Sequence, residues 1–320
     1  MKMTNKPFLS ICVATYNQSE YFNDVLSYLL KQTYNDYEIV ISDDSTDDKT
    51  EKLISEYNDP RIRYYHNIKP LGRVCNYRRL VDLARGEWVL MHDGDDLIID
   101  FNHLENSFEI IRNNEGLAFV QAGVYVGSEL SKSYQRLPNI HQNEVRLSGY
   151  DYLTKFIEIE QFSHLATIFN KQIALQVIPY SLNIISSDIH TMLRMAAHGD
   201  VYLIKKAVGF WRKHEKNTSL NASLYDKILN LKWVSDVIKY WVQLGKLSKS
   251  DSNRVYKLLF SDKLSYITYK YLIENHLNFS IIQFIIRWFK LFAFVKLNYF
   301  LIYPTQRNQI KSIIYKRLRS

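Results

Sequence analysis

Along the first 130 residues the apolar positions alternate between two spacings: short dense runs rich in β-branched residues, and longer stretches in which they recur every three or four residues. Residues 8–14 form the first dense run, and 20–31 the first helical one, with Tyr21, Val25, Tyr28 and Leu29 at helical spacing. The alternation then predicts a strand over 38–42, a helix through Leu53, Ile54 and Tyr57 capped by Asp47 and Asp48, and a strand over 62–65. A helix over 74–84, a strand over 87–91 and a helix over 102–112 follow. Repeated βα units imply an α/β fold, a mainly parallel sheet flanked by helices on both faces. Ligands of such sheets bind beyond the carboxyl ends of the strands. Three polar clusters fall at that edge: Thr15, Tyr16 and Asn17; Asp43, Asp44 and Ser45; and Asp93 to Asp96.

Beyond residue 130 the alternation is lost, and the chain to about 220 reads as short helices and irregular structure. From Leu220 onward the pattern is helical and rich in aromatics, without an internal repeat or a low-complexity linker. The expected organisation is therefore a domain over 1–220, with a first half over 7–130 and a second half over 131–220, followed by a helical extension over 221–320.

Charge changes the picture of that extension. The net charge of +8 suggests nucleic acid until it is located: eight basic side chains and no carboxylate follow Glu274, so the first 274 residues carry 33 of each sign. No nucleic-acid partner is expected, and an anionic partner is expected only at the tail. Residues 279–303 are intensely apolar, with Ser280, Gln283, Arg287 and Lys290 forming a polar stripe at helical spacing. Such a helix suits a membrane interface, with Trp288 at headgroup level and the basic residues drawn to anionic lipid. Packing within the protein or in a dimer is the competing account. No stretch has the ~20 uncharged apolar residues of a clean span. The apolar run near the N-terminus is interrupted by Tyr16 and Asn17 and reads as a first strand, not a signal peptide. Cys12 and Cys75 match neither a metal pair nor a redox motif; Cys12 reads as a small buried hydrophobe, and the usage fits a reducing compartment.

Chemistry concentrates in a few short segments. "MHDGDDL" puts three carboxylates into four positions directly after the run Trp88 to Met91. Carboxylates this close suit a hard divalent cation, which takes oxygen ligands and shares its shell with substrate phosphates; an acidic turn followed by a helix cap is the plain alternative. "GRVCNYRRL" opens a helix after Gly72, where Arg73, Arg78 or Arg79 can add charge-assisted contacts to a phosphate at the helix N-terminus. In "SSDIHTMLRMA", Ser186, Ser187 and Asp188 read on pattern alone as an N-cap cluster. "WRKHEKNTS" carries His214 with Asn217 and Ser219 placed to orient it.

Taken together and in order, "SICVATYNQSEYFNDVLSYLLKQTYNDYEIVISDDSTDDKT", "LGRVCNYRRLVDLARGEWVLMHDGDD", "SSDIHTMLRMAAHGD" and "FWRKHEKNTS" resemble the inverting glycosyltransferases of family 2, which have the GT-A fold. The resemblance covers about residues 7–220. It implies that Thr15, Tyr16 and Asn17 line a nucleotide pocket and that Asp44 accepts from the N3–H of a uracil-like base, while Asp43 serves the loop as an Asx turn. It further implies that 7–130 is the nucleotide-binding half and 131–220 the acceptor and catalytic half, that Asp93 meets the ribose, that Asp95 and Asp96 hold Mn2+ or Mg2+, and that His214 is a late ligand of that metal or a contact to the diphosphate. Imidazole suits Mn2+ better than Mg2+. Arg73 and Asn76 fall on the donor side, and Asp188 matches the general base, although Ser187 stands where the family usually has an acidic residue.

The activity so implied is transfer of a sugar from a nucleotide-sugar donor, a UDP-sugar first, to a glycan or lipid-linked acceptor. The implied setting is bacterial surface polysaccharide synthesis, with the protein cytoplasmic and peripheral on the cytoplasmic face of the inner membrane. A nucleotidyltransferase, which releases pyrophosphate, and a non-catalytic membrane-bound nucleotide-sugar-binding module are the alternatives.

Overall fold

A computed structural model describes residues 6–159 and 163–274, with side chains as far as 267. The apolar segment 279–303 and the basic tail lie outside the described residues. The chain divides into two compact units, Met1–Asn221 and Ala222–Ser320.

The first unit opens with the alternation read from sequence: β1 (Leu9–Thr15), α1 (Ser19–Leu30), β2 (Tyr37–Asp43), α2 (Lys49–Ser55), β3 (Ile62–His66), α3 (Arg73–Leu83) and β4 (Trp88–Asp93). The four strands pair in parallel in the order β3-β2-β1-β4. Every residue of β1 and β2 is buried, as expected of strands covered on both faces. Phe22, Val25, Leu26 and Leu29 of α1, three and four residues apart, form its buried side. Val74, Tyr77, Leu80 and Val81 do the same for α3. The cap expected of Asp47 and Asp48 is divided: Asp47 Oδ1 accepts the Lys49 N–H at 3.2 Å, whereas Asp48 occupies the N-cap position without a side-chain cap.

Beyond β4 the chain continues through β5 (Leu97–Ile98), α4 (His103–Asn113) and the long β6 (Leu117–Gly127). The stretch read as short helices and irregular structure holds four more strands: β7 (Tyr134–Arg136), β8 (Glu144–Leu147), β9 (Thr167–Asn170) and β10 (Asp200–Arg212). Helices α5 (Gly149–Thr154), α6 (Phe156–Ile159), α7 (Lys171–Gln176), α8 (Ser187–Met195) and α9 (Thr218–Asn221) lie among and after them. All join one ten-stranded sheet among the described residues, ordered β3-β2-β1-β4-β9-β6-β10-β5, with β7 on β6 and β8 on β10. Thus one sheet runs through both expected halves. The missed strand β10 has register shifts between Ile204 and Ala207 and between Ala207 and Gly209, so exposed Lys205 and Lys206 bulge out and break its two-residue period.

Strand β9 is antiparallel to both β4 and β6. Its first residues therefore lie at the edge where β4 ends, a reversal with consequences for the site.

The second unit contains α10 (Leu224–Leu229), α11 (Lys232–Gln243) and α12 (Lys249–Glu274). Ser223 and Asp226 form a reciprocal capping box on α10. Trp233, Val237 and Trp241, four residues apart, are buried on α11, and Leu231, Leu264 and Ile267 cluster with Phe260 and Leu224. Among the described residues no helix is long and apolar enough to cross a membrane.

At the amino end of the parallel strands, buried Glu38 accepts from Ser10 Oγ at 2.7 Å, the Arg85 N–H at 2.6 Å and Arg63 Nη1 at 2.8 Å. Glu38→Ala leaves the largely buried Arg63 guanidinium, still bonded to Leu83 O and Tyr65 Oη, without its counter-charge and two other donors unpaired. The variant is expected to lose about 3 kcal/mol of stability, read as a lower urea midpoint at unchanged m-value.

Candidate functional site

The carboxyl edge of β1, β2 and β4 is sewn together by backbone. Thr15 C=O accepts the Asp44 N–H at 2.9 Å, and Ala14 C=O accepts the Gly94 N–H at 2.9 Å. Asn17 adopts φ +53°, a left-handed conformation that asparagine tolerates. It donates its N–H to Ser45 Oγ at 2.8 Å, and its Oδ1 accepts the Thr46 N–H at 3.0 Å, joining the loops after β1 and β2. Tyr16 is exposed and Thr15 buried, with the Thr15 hydroxyl unpartnered beside Gly94. Asp43 makes the Asx turn expected of it: Oδ1 accepts the Ser45 N–H at 2.7 Å, and Oδ2 accepts from Tyr64 Oη at 2.8 Å.

Asp44 is buried, and its carboxylate accepts from Asn67 Nδ2 at 2.7 Å, Leu71 N at 3.1 Å and Gly72 N at 2.9 Å. A carboxylate offers about four acceptor positions, so a fourth is open to a donor on a base. Its role within the chain is to hold the loop before α3 in place. Asn76 sits behind it, donating to Ser42 O at 2.9 Å and accepting from Asn67 Nδ2 at 3.4 Å. In that buried position Asn76 supports the Asp44 loop. Arg73 Nη2 donates to Ile184 O at 2.9 Å and Ile185 O at 3.1 Å, and its guanidinium lies over the Tyr77 ring at 5.5 Å. Arg78 donates to Tyr180 O at 2.7 Å. Arg73 and Arg78 thereby secure the segment that delivers Asp188 to the first turn of α8.

The three carboxylates after Met91 diverge. Asp93, the last residue of β4, accepts from Tyr77 Oη at 2.5 Å and faces His164 Nε2 at 3.1 Å. Asp95 Oδ2 lies 2.6 Å from His214 Nε2. Asp96 Oδ1 accepts the Arg212 N–H at 2.9 Å, anchoring the turn to the end of β10. His214 is fixed from several sides: it stacks on Tyr21 at 5.2 Å, its N–H donates to Asn217 Oδ1 at 2.7 Å, and Asn217 Nδ2 lies 3.2 Å from Nε2. The Arg212 guanidinium lies over the Tyr21 ring at 4.7 Å and donates Nε–H to Asp95 O at 3.0 Å.

These contacts set the electrostatics. Desolvation pushes the Asp93 carboxyl up, but His164, Tyr77 and Arg73 outweigh it and hold it below the usual range. Burial raises Asp95, with Asp93 adding to it against the pull of His214. Burial raises Asp96 further, with Asp95 and Asp93 adding to it. Burial lowers the His164 imidazole, yet Asp93 and Asp188 outweigh it and leave the ring above its ordinary value. The negative charge on Asp95 and Asp96 is thus under-compensated by the chain.

That deficit is what a cation would fill. Among the described residues no three side chains of metal-binding type are gathered as a cage. A cage is not needed for Mg2+, which is held by one or two carboxylates and completed by water and substrate phosphate. The Asp95–His214 pair, one oxygen and one nitrogen converging, fits a divalent ion as partial ligands. Asp96, with one oxygen committed to Arg212, stands behind them.

His164 is the residue that sequence reasoning missed. It precedes β9, and only the antiparallel course of that strand carries it to the edge where Asp93 ends β4. Its Nδ1 lies 4.0 Å from Asp188 Oδ2, so the base candidate and the acidic turn meet through one ring.

A family model described as glycosyl transferase family 2 matches residues 10–177. Similar curated proteins include an uncharacterized glycosyltransferase of Methanocaldococcus jannaschii, 32% identical over 38% of this chain and 43% of the relative. A putative colanic acid biosynthesis glycosyl transferase of Escherichia coli, WcaA, is 31% identical over 29% of this chain and 34% of its own. The matches therefore span less than half the length of these relatives. Among solved structures, TarS of S. aureus in complex with UDP-GlcNAc has a TM-score of 0.61 at 15% identity, over 80% of this chain and 71% of that one. The mannosyltransferase PcManGT of Pyrobaculum calidifontis, in complex with GDP-Man and Mn2+, has a TM-score of 0.54 at 13% identity, over 96% and 84%. The shared architecture is the GT-A fold.

The raised Asp96 carboxyl gives a test with a definite sign. Its folded-state value exceeds the roughly 3.9 of an unfolded Asp, so the native state loses stability as pH rises from the unfolded value through the folded one. Asp96→Asn keeps an oxygen for the Arg212 N–H but cannot ionise. In chelator, the variant is expected to melt above the parent at pH 7, with the gain shrinking toward about pH 4; differential scanning calorimetry across pH reads it.

Proposed function

The chain belongs to glycosyl transferase family 2, and from that premise we propose that it moves a sugar from a nucleotide-diphosphate donor, a UDP-sugar first, to a hydroxyl of a glycan or lipid-linked glycan, with inversion at the anomeric carbon. One observation carries the reading: the closed Asp95–His214 pair and the Asp93–His164–Asp188 line meet at one sheet edge, beyond the strand ends where such folds bind ligands. The complexes of TarS with UDP-GlcNAc and of PcManGT with GDP-Man and Mn2+ support a nucleotide-sugar donor and a divalent ion as a class.

In this reading the loops carrying Thr15, Tyr16 and Asn17, together with Asp44, surround the nucleotide, and Asp93 faces the ribose. Asp95 and His214, with Asp96, would hold Mn2+ or Mg2+. When bound, the ion neutralises charge that grows on the departing diphosphate, which favours the transition state over the ground state. Asp188 takes the proton of the acceptor hydroxyl as that oxygen attacks the anomeric carbon. The carbon–oxygen bond to the diphosphate breaks with its electron pair leaving on phosphate, and a single displacement inverts the configuration. Tyr21 and Arg212 keep His214 over Asp95, and Arg73 and Arg78 keep the backbone ahead of Asp188 in place.

The apolar, basic sequence of 279–319 supports an acceptor presented at an anionic membrane surface, and hence a peripheral position on the cytoplasmic face of the inner membrane. The printed role of WcaA in colanic acid biosynthesis supports surface polysaccharide as the setting.

UDP-GlcNAc with Mn2+, as a first donor in a panel of nucleotide sugars, is expected to raise the melting midpoint, with about 2.7 kcal/mol available at a hundredfold excess over Kd. Asp95→Ala should abolish that gain. Asp188→Asn should keep the gain and lose transfer by about 10²-fold or more, and the product released should be the nucleoside diphosphate, not pyrophosphate. No stabilisation by any donor, or full turnover in Asp188→Asn, would contradict the reading.

A further inference from the structure

His164 stands between two carboxylates that the proposed reaction uses for different purposes. Its Nε2 lies 3.1 Å from Asp93 Oδ2 and its Nδ1 lies 4.0 Å from Asp188 Oδ2. Asp93 already accepts from Tyr77 Oη at 2.5 Å, and an ionised carboxylate only accepts, so the hydrogen of the Asp93–His164 contact belongs to Nε2. Nδ1 is buried and has no hydrogen-bond partner. A bare Nδ1 would set its lone pair against the Asp188 oxygen. A protonated Nδ1 is attracted to it and needs a movement of about 1 Å to reach hydrogen-bond distance.

The groups facing the ring come from three elements: Asp93 and His92 on β4, Tyr77 and Arg73 on α3, and Asp188 on α8. The two carboxylates outweigh Arg73 and burial, which favours the charged ring. Among the described residues no hydrogen bond fixes the Asp188 carboxylate, although Arg73 holds the backbone just ahead of it through Ile184 and Ile185. The main chain of the base candidate is therefore placed, and its side chain waits for a partner.

We propose that His164 is a positioning residue of the transfer step: its Nδ1–H bonds Asp188 in the assembled site, aims the carboxylate at the acceptor hydroxyl, and ties it to Asp93 on the donor side. The inference rests on Asp188 being the base. The bonding changes stay at the substrates: the acceptor O–H proton passes to Asp188, the acceptor oxygen bonds the anomeric carbon, and the diphosphate leaves with the old bond's electron pair. His164 makes and breaks no covalent bond. As pH rises through its midpoint the ring loses the Nδ1 proton and with it the hold on Asp188.

Glutamine at 164 has its donor at one end only and cannot span both carboxylates. In the full chain, His164→Gln is expected to lower kcat about 10–100-fold, to leave KM for the donor near its parent value, and to remove the alkaline limb of the kcat profile. Independently of turnover, the His164 resonance of 15N-histidine-labelled protein, assigned by its loss in His164→Gln, should titrate about one pH unit lower in Asp188→Asn. An unchanged midpoint in Asp188→Asn, or a loss in His164→Gln that falls on KM with the alkaline limb intact, would overturn the proposal while leaving the transferase reading standing. A parent chain that releases nucleoside diphosphate from no donor would overturn both.

Discussion

Three carboxylates within four residues at a strand end packed into a sheet repel one another and are costly to desolvate, and the site is organised by how that negative charge is met. Two imidazoles from distant parts of the chain answer two of them: His164 faces Asp93, and His214 closes on Asp95. The third, Asp96, receives a backbone N–H from Arg212, whose charge also pulls it down. Burial keeps the Asp96 carboxyl well above the usual range, and keeps Asp95 raised in spite of His214.

The fold is the means of bringing these partners together. Parallel strands β1, β2 and β4 end at one edge and deliver their loops there. Antiparallel β9 runs the other way, so it is the start of the strand, next to His164, that reaches that edge. Strand β10 ends there too, through Arg212, and hands on His214, which Tyr21 of α1 supports by stacking. Arginines of α3 bond carbonyls ahead of α8 and so join the first half of the sequence to the residue read as the base.

Much of this was legible in the sequence, and the division has physical causes. Strands β1 to β4 announce themselves because dense apolar runs separated by helical periods have few other readings. The acidic turn and His214 were visible because residue type and motif order point to them. Strand β10 was hidden by its bulge at Lys205 and Lys206, which destroys the alternation that marks a half-buried strand. His164 was hidden with β9, since its place follows from the direction of a four-residue strand that local pattern does not reveal. For Arg73 and Asn76 the residue type is plain in the sequence, whereas the carbonyls they bond, Ile184 O and Ser42 O, are brought to them only by the fold. Asp44 is filled largely by donors of the loop before α3, which the sequence alone does not reveal.

In the proposed reading Asp95 and His214 would hold the divalent ion and so give up their mutual contact when donor binds. Pulsed electron paramagnetic resonance of Mn2+ bound with UDP reads this directly, because a ligating imidazole imprints its nitrogen on the electron-spin echo. The account predicts coupling to one histidine nitrogen that disappears in His214→Gln. Mn2+ bound together with UDP but without nitrogen coupling, or coupling that survives in His214→Gln, would contradict it.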